Sequence, residues 1–508
     1  LGVKERFALA EALTDDGGAA EALTLLAAIE NKPGVSRADF LHARARATYK
    51  TRDWAAAAEA YKKAATVRSS REAEQRYYAA RSLLRCDGHD EALTIFRDLG
   101  KRYAKTMWGD RASYYAGRSL LMRGRFKEAA AEHDRYLARF PKGTSRDEAT
   151  YERAIALLGA GNAKAARSAL AKLAKQESRE NLGKLRQLEG IAALRDGDRD
   201  EAVAIWTDVA TTLPLTWPAL ASRARLVSVG APLPPLIEGR SIAKSLPGLD
   251  VALPAPASLL ASVGLDADAE RALGPLEESA TGHYAGRQNE ALCSMYGLLS
   301  RAKRRYRVGV NAVGFDALMR APSESETWAW DCVYPRPYDA DVRVIEAERG
   351  LPQGLLHALM RQESAFDPAA LSPVGAQGLM QLMPKTASRV AEEMQADYDP
   401  DAITVPDRNL RFGAFYISKL LGTWKGSVPL AAASYNAGPK AVSEWLESGA
   451  ELDADLFVAR IPYSETRHYV ARVMGNLARY QWLAGGDAAV TELSLALPED
   501  ARAPADAY

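Results

Sequence analysis

The residues best placed to do chemistry in this chain sit in one stretch, RQESAFDPAALSPVGAQGLMQLMPKTA, which begins at Arg361. Just ahead of it Leu355, Leu356, Leu359 and Met360 recur at helical spacing and make one apolar stripe, with Pro352 expected in the helix's first turn. Glu363 lies four residues beyond Leu359, so it continues that stripe at the helix C-terminus. A carboxylate placed there meets two penalties, desolvation and the negative end of the helix dipole, and both favour the protonated form. An acid that keeps its proton near neutral pH suits the cleavage of a glycosidic bond, because the departing sugar oxygen must receive a proton. By itself, a Glu at a helix end is more often a surface or ion-paired residue.

The segments that follow change that balance. SPVGAQGLMQ supplies the polar side chains Ser372, Gln377 and Gln381, with Gly375 and Gly378 permitting tight backbone beside a ligand. Pro384 opens a further helix, and Asp407 is expected to N-cap another, DRNLRFGAFYISKLL. AAASYNAGPKAV ends an alanine-rich helix in Tyr435 and Asn436 and turns through Gly438 and Pro439, and IPYSETRHYVARVMGN places Glu465 four residues before Tyr469. Short helices with polar and aromatic groups at their ends suit a sugar cleft. Asp367 precedes Pro368 and reads as a turn residue, while His357 and His468 stand outside metal-binding spacing and read as structural. No metal or other cofactor is expected.

Upstream, the chain repeats. Small-residue turns lead into an alanine on the next helix at Ala22, Ala57, Ala92, Ala129, Ala166 and Ala202, spaced 35 to 37 residues apart, the length of a two-helix hairpin of the tetratricopeptide type. One hairpin cannot bury its own apolar face, whereas a stack of about six can. From Val229 the texture changes: Pro232, Pro234, Pro235, Pro247, Pro254 and Pro256 interrupt long helices before helical patterning returns near Leu259. The cluster Lys303, Arg304, Arg305 and Arg307 in that region reads as a solvated helix face rather than as a contact for an anionic polymer. The expected domains are therefore a superhelical arm over 1–228, a helical linker over 229–330, the chemistry-bearing domain over 331–485, and a loosely ordered tail over 486–508.

Global properties exclude several classes. The 508 residues carry a net charge of +1 with 26% charged and 47% hydrophobic residues, which gives no electrostatic case for nucleic acid as a partner. No apolar run approaches the ~20 residues that span a bilayer. Cys86, Cys293 and Cys332 lie far apart without CxxC or His spacing, so neither a disulfide framework nor a zinc site is expected and they read as buried small hydrophobes. The chain starts at Leu1 without the charged start and apolar core of a secretion signal, consistent with a signal segment that has been removed or left out.

From Tyr334 to about Leu483 the sequence resembles the catalytic domain of soluble lytic transglycosylases, a lysozyme-like fold related to goose-type lysozyme. The resemblance rests on four motifs in order: ES at Glu363, GLMQ from Gly378 to Gln381, SYNAG from Ser434 to Gly438, and ETRHYV containing Tyr469. It implies a mostly α protein in which an α-superhelical arm and helical linker precede an α domain with minor β structure. It also implies that Glu363 is the sole catalytic acid and base, cutting peptidoglycan between N-acetylmuramic acid and N-acetylglucosamine to leave a 1,6-anhydro product. Ser372, Gln381, Met383, Tyr435, Glu465 and Tyr469 match substrate-contacting positions. Tyr435 matches the tyrosine that approaches the catalytic acid, and Tyr469 either contacts sugar or packs. Gly378, Asn436 and Gly438 match supporting ones. Peptidoglycan as substrate implies the periplasm of a Gram-negative bacterium, with a soluble or lipid-anchored protein, and the arm is expected to offer a surface to other cell-wall enzymes. A water-using muramidase and a non-catalytic glycan-binding scaffold are the alternatives.

Overall fold

The computed structural model describes all residues except 176–178, 238–248, 449–451, 501, 505 and 506, so Pro247 lies outside the described residues. The chain forms two compact units, Leu1–Leu173 and Ala174–Tyr508. In the first, helices pair as hairpins: Val3–Asp16 with Ala19–Ala27, Arg37–Lys50 with Trp54–Ala65, Glu72–Leu83 with His89–Arg102, and Met107–Met122 with Phe126–Arg139. The anchors Ala22, Ala57, Ala92, Ala129 and Ala166 are all fully buried. A methyl side chain there lets successive helices approach closely. Gly117 marks one such close crossing, where an added Cβ would lie 2.6 Å from the His133 ring. Rings and guanidinium groups pack between hairpins, with Arg85 over Trp54 and Arg81 over Tyr115, each 4.3 Å from the ring centre.

The second unit opens with three more helices, Arg179–Arg195, Arg199–Thr212 and Trp217–Ser228, and the sixth anchor, Ala202, is buried among them. These helices are tied to the last domain by Asp455, which is buried in the helix Ala454–Arg460. Its carboxylate accepts from Arg225 at 2.9 and 2.5 Å, from Gln187 at 2.6 Å and from its neighbour's backbone N–H, that of Leu456, at 2.8 Å. Every lone pair of this buried charge has a donor, the condition under which a buried ion pair is tolerated.

In the linker the expectation about cysteine is overturned: Cys293 and Cys332 form a disulfide joining the helices Gln288–Gly297 and Thr327–Val333, with Cα atoms 5.8 Å apart. Their sequence separation of 39 holds no pairing signal, because the fold rather than the spacing brings the two helices together. Cys86 stays unpaired and partly buried. The basic cluster is not a solvated face either. Arg304 forks onto Glu277 at 2.6 and 2.5 Å, Lys303 pairs with Asp367, and the Arg305 side chain is largely enclosed, its pKa lowered by burial, while Arg307 is exposed.

The last domain wraps helices around a core of Leu355, Leu356, Leu359, Met360, Val390, Ile417, Trp424 and Val473. Pro384 does open the helix Pro384–Met394, whereas Asp407 does not cap its helix, which starts at Pro406. Asp407 instead accepts from Arg411 at 2.9 Å, one turn on. Among the described residues the β content is two isolated bridges, Leu371 with Gln377 and Gln377 with Leu382. The described residues of the tail are packed rather than loose. Val490, Leu493 and Leu497 pack on the core, Leu495 accepts from the Ala454 N–H at 2.8 Å, and the Tyr508 carbonyl accepts from Tyr416 at 2.6 Å. The alternation Leu493, Leu495, Leu497 is the signature of an extended strap with one apolar side. Among the described residues no helix is long and apolar enough to cross a membrane.

Candidate active site

The site is built on the helix Leu355–Glu363. Pro352 lies in the turn before it rather than in its first turn, and the residue preceding the helix is Gly354, whose φ of 86° favours glycine. An added Cβ at Gly354 would also sit 2.8 Å from Tyr480 Cβ. The orphan N–H groups of this buried helix start are met by Glu346, whose two carboxylate oxygens accept from Gly354 and Leu356, each at 2.9 Å. Burial raises the Glu346 pKa, and the two backbone donors oppose that rise. One face of the helix is fully buried through Leu355, Leu356, Leu359 and Met360. His357 is buried too, bonded to the Pro337 carbonyl and pushed down to about 4 by burial, so it stays neutral.

At the other end the last three helical residues are each held by one residue of the long helix Ser464–Gly485. Arg361 donates to Asn476 at 2.9 Å, Gln362 accepts from Arg472 at 2.8 Å, and Glu363 accepts from the Tyr469 hydroxyl. Positions 469, 472 and 476 are three and four apart, so they share a helix face, and Glu465 lies on the same face one turn earlier. Arg361 is further seated by the Val333 carbonyl and by the rings of Tyr334 and Tyr306, 4.6 and 4.9 Å from its guanidinium carbon.

Beyond Glu363 the backbone turns sharply. Ala365 and Phe366 have φ of 50° and 66°, two consecutive left-handed residues that are not glycine. Such residues cost about 1–3 kcal/mol each and persist only where packing enforces them. Here the enforcement is visible: Phe366 is buried edge-on to Tyr306, and Ser364 Oγ donates to the carbonyl of Leu379 at 2.9 Å, fastening the helix end to the GLMQ loop. That loop is held from below by the buried Asn409, which accepts from the Met380 N–H at 2.7 Å and donates to the carbonyls of Gln377 and Ile403. Gly378 has no room for a side chain, since a Cβ would lie 2.4 Å from the Asn409 amide nitrogen.

The electrostatics single out Glu363. Burial pushes its carboxyl up to about 7, the negative charge of Glu465 pushes the same way, and the Tyr469 hydrogen bond pulls against both. Burial wins because one phenol does not replace the water a carboxylate loses. The phenols of Tyr469 and Tyr435 are themselves held well above their usual range, first by burial and next by the charge of Glu363. They remain donors.

The other expected positions divide into two groups. Close to Glu363 stand Tyr469, which donates to it; Glu465, exposed but near enough to bias it; and Tyr435, whose charge environment includes it. Tyr435 donates to the Met380 carbonyl at 2.7 Å, so the tyrosine bonded to the acid is Tyr469. Asn436 accepts from Thr466 at 2.6 Å and Gly438 turns the chain at φ 89°. Ser372, Gln381 and Met383 make no bond to the acid among the described residues. Ser372 Oγ accepts from the Ala376 N–H at 2.9 Å, and Gln381 Nε2 donates to the carbonyls of Ala370 and Gly378, which leaves its amide oxygen without a protein partner among the described residues. Met383 is 41% exposed at the start of the helix Pro384–Met394. Glu346, Asn409, Arg472 and Asn476 were not singled out by sequence. The last two were readable from the stripe that runs on from Glu465 and Tyr469.

Residues 342–458 match the family described as the transglycosylase SLT domain. The soluble lytic murein transglycosylase of Escherichia coli K12 is 35% identical over 162 residues, 31% of this chain and 25% of that protein. Its counterpart in Salmonella typhimurium is 39% identical over 140 residues, 27% of this chain and 22% of that protein. The match thus spans about a quarter of the length of these relatives. Among solved structures, an inactive mutant of the lytic transglycosylase Slt from Pseudomonas aeruginosa aligns with a TM-score of 0.58 at 20% identity, over 100% of this chain and 76% of that one. A complex of the 70-kDa soluble lytic transglycosylase with bulgecin A aligns at 0.60 and 19%, over 99% and 76%. At those identities the likeness is one of fold: helical superhelix, linker and lysozyme-like domain.

Proposed function

We propose that this chain, which carries a transglycosylase SLT domain, is a peptidoglycan lytic transglycosylase that cleaves the β-1,4 bond between N-acetylmuramic acid and N-acetylglucosamine. The observation that supports this reading most is Glu363: a carboxyl ending a buried helix, bonded to one phenol and pushed up to about 7. With its pKa there, the group is protonated in a large fraction of molecules near neutral pH and is still basic enough to take a proton back. It first gives its proton to the glycosidic oxygen as the bond to C1 breaks. The resulting carboxylate, steadied by Tyr469, then takes the proton of the muramoyl C6 hydroxyl, whose oxygen closes on C1 as the 1,6-anhydro ring. The substrate's own acetamido group offsets positive charge at C1, so no second protein carboxylate is required. Ser372, Gln381, Met383, Tyr435 and Glu465 line the sugar cleft in this reading, with Gly378, Asn436 and Gly438 holding its backbone.

The four regions 1–228, 229–330, 331–485 and 486–508 serve as arm, linker, catalytic domain and strap. Export to the periplasm of a Gram-negative bacterium follows from the substrate and is supported by the Cys293–Cys332 disulfide, which belongs in an oxidising compartment. The arm offers a surface to other cell-wall enzymes. Mass spectrometry of purified sacculi after digestion tests the reaction. Anhydromuramoyl ends are expected; reducing muramoyl ends would make the protein a water-using muramidase, and no release would leave it a glycan-binding scaffold.

A further inference from the structure

Along the face of the helix Ser464–Gly485 that meets the acid, the side chains run Glu465, Tyr469, Arg472, Asn476. Tyr469 and Asn476 are buried and Arg472 is exposed. Surface arginines usually settle against carboxylates, as Arg411 and Arg343 do in this same domain. Arg472 does not. Its Nε donates to the neutral amide oxygen of Gln362 at 2.8 Å, and among the described residues no carboxylate lies within ion-pair distance of its guanidinium. The anchor therefore fixes the side chain without neutralising it and leaves both Nη groups available. The residue that holds it is the one directly before Glu363, and the guanidinium is close enough to Tyr469 to oppose the rise of that phenol's pKa. A pre-positioned, uncompensated cation thus stands at the rim of the acid.

A planar guanidinium with two free donor groups suits a carboxylate, which it can grip with two parallel hydrogen bonds. Peptidoglycan strands carry carboxylates in their stem peptides, and a strand stripped of peptide carries one on the lactyl group. Resting on the reading above, we propose that Arg472 is a specificity-determining residue that grips a carboxylate borne by the strand beside the cleaved bond. The stem peptide supplies that carboxylate on ordinary strands, because there the lactyl carboxyl is tied up as an amide.

The test compares the parent protein with Arg472→Gln and Arg472→Lys on three substrates: peptide-bearing strands, the same strands with peptide carboxyls amidated by carbodiimide, and strands stripped by an amidase. On peptide-bearing strands Arg472→Gln is expected to raise KM about tenfold while changing kcat less than twofold, with Arg472→Lys in between. On amidated strands the difference between parent and Arg472→Gln falls below twofold. A KM penalty confined to stripped strands would keep the proposal and move its source to the lactyl carboxylate. An equal penalty on all three substrates, or none on any, would overturn it. To separate this from the reaction itself, co-sedimentation with sacculi is measured for Glu363→Gln with and without Arg472→Gln. Weaker retention of the double variant on peptide-bearing but not amidated sacculi supports the grip even if no anhydro product is ever found, and equal retention of both variants counts against it.

Discussion

The helix Leu355–Glu363 carries a buried or half-buried carboxylate at each end, and the two are in opposite situations. Glu346, from the preceding helix, sits at its N-terminus, where the dipole favours negative charge and two backbone N–H groups are aimed at its oxygens. Glu363 sits at the C-terminus, where the dipole opposes charge and, among the described residues, a single phenol is its bonded partner. Both are shifted upward by burial, so burial alone does not distinguish them. The difference lies in how fully the charged form is satisfied. A carboxylate with donors on both oxygens is a strut, and one with a single donor is left ready to exchange its proton.

The sharpest way to break this contrast is to make both residues neutral. Glu363→Gln should lower turnover on sacculi about 10³-fold, within the range that general acid–base groups contribute, and should leave sacculus binding intact. Glu346→Ala should instead act on stability, because it strands two buried N–H groups; thermal or denaturant unfolding should report a loss of about 2–3 kcal/mol. The sign for Glu363 is the reverse. Its folded pKa of about 7 lies above its ordinary value of 4.5, so the contribution to stability is complete below about pH 4.5 and is lost as pH rises through about 7. Glu363→Gln should therefore be more stable than the parent at pH 8 and lose that advantage at pH 5, as the midpoints of unfolding at the two pH values will show.

How much of this was legible beforehand follows from how local each signal is. The repeat anchors were readable because a buried alanine recurs at a fixed period, and Glu363 because it extends an apolar stripe by one turn. The strut was not, since Glu346 reaches Gly354 and Leu356 across a turn whose geometry no periodicity encodes. The same holds for Asn409, which supports the GLMQ loop from about thirty residues away, and for the Cys293–Cys332 pair. The packing of Val490, Leu493 and Leu497 was not legible either, because the core they cover is built from helices distant in sequence.

Two smaller effects sharpen the comparison by changing the partners of Glu363 rather than the residue. Tyr469→Phe removes the bond that pulls its pKa down, so the alkaline limb of the pH–rate profile should move up by about one unit or less. Glu465→Gln removes the nearby negative charge and should move the same limb down by less, because Glu465 is exposed and its field is screened by water. Shifts in the same direction for both variants would mean that the two residues do not act on the acid as opposed here.

The most direct measurement is the pH dependence of kcat/KM for the parent protein on sacculi, which reports the ionisation of the acid in the free enzyme. The account predicts an alkaline limb with its midpoint close to 7, absent from any residual activity of Glu363→Gln. A limb centred near 4.5, or activity that holds level through pH 9, would show that the proton donor is not a carboxyl raised by burial at the end of this helix.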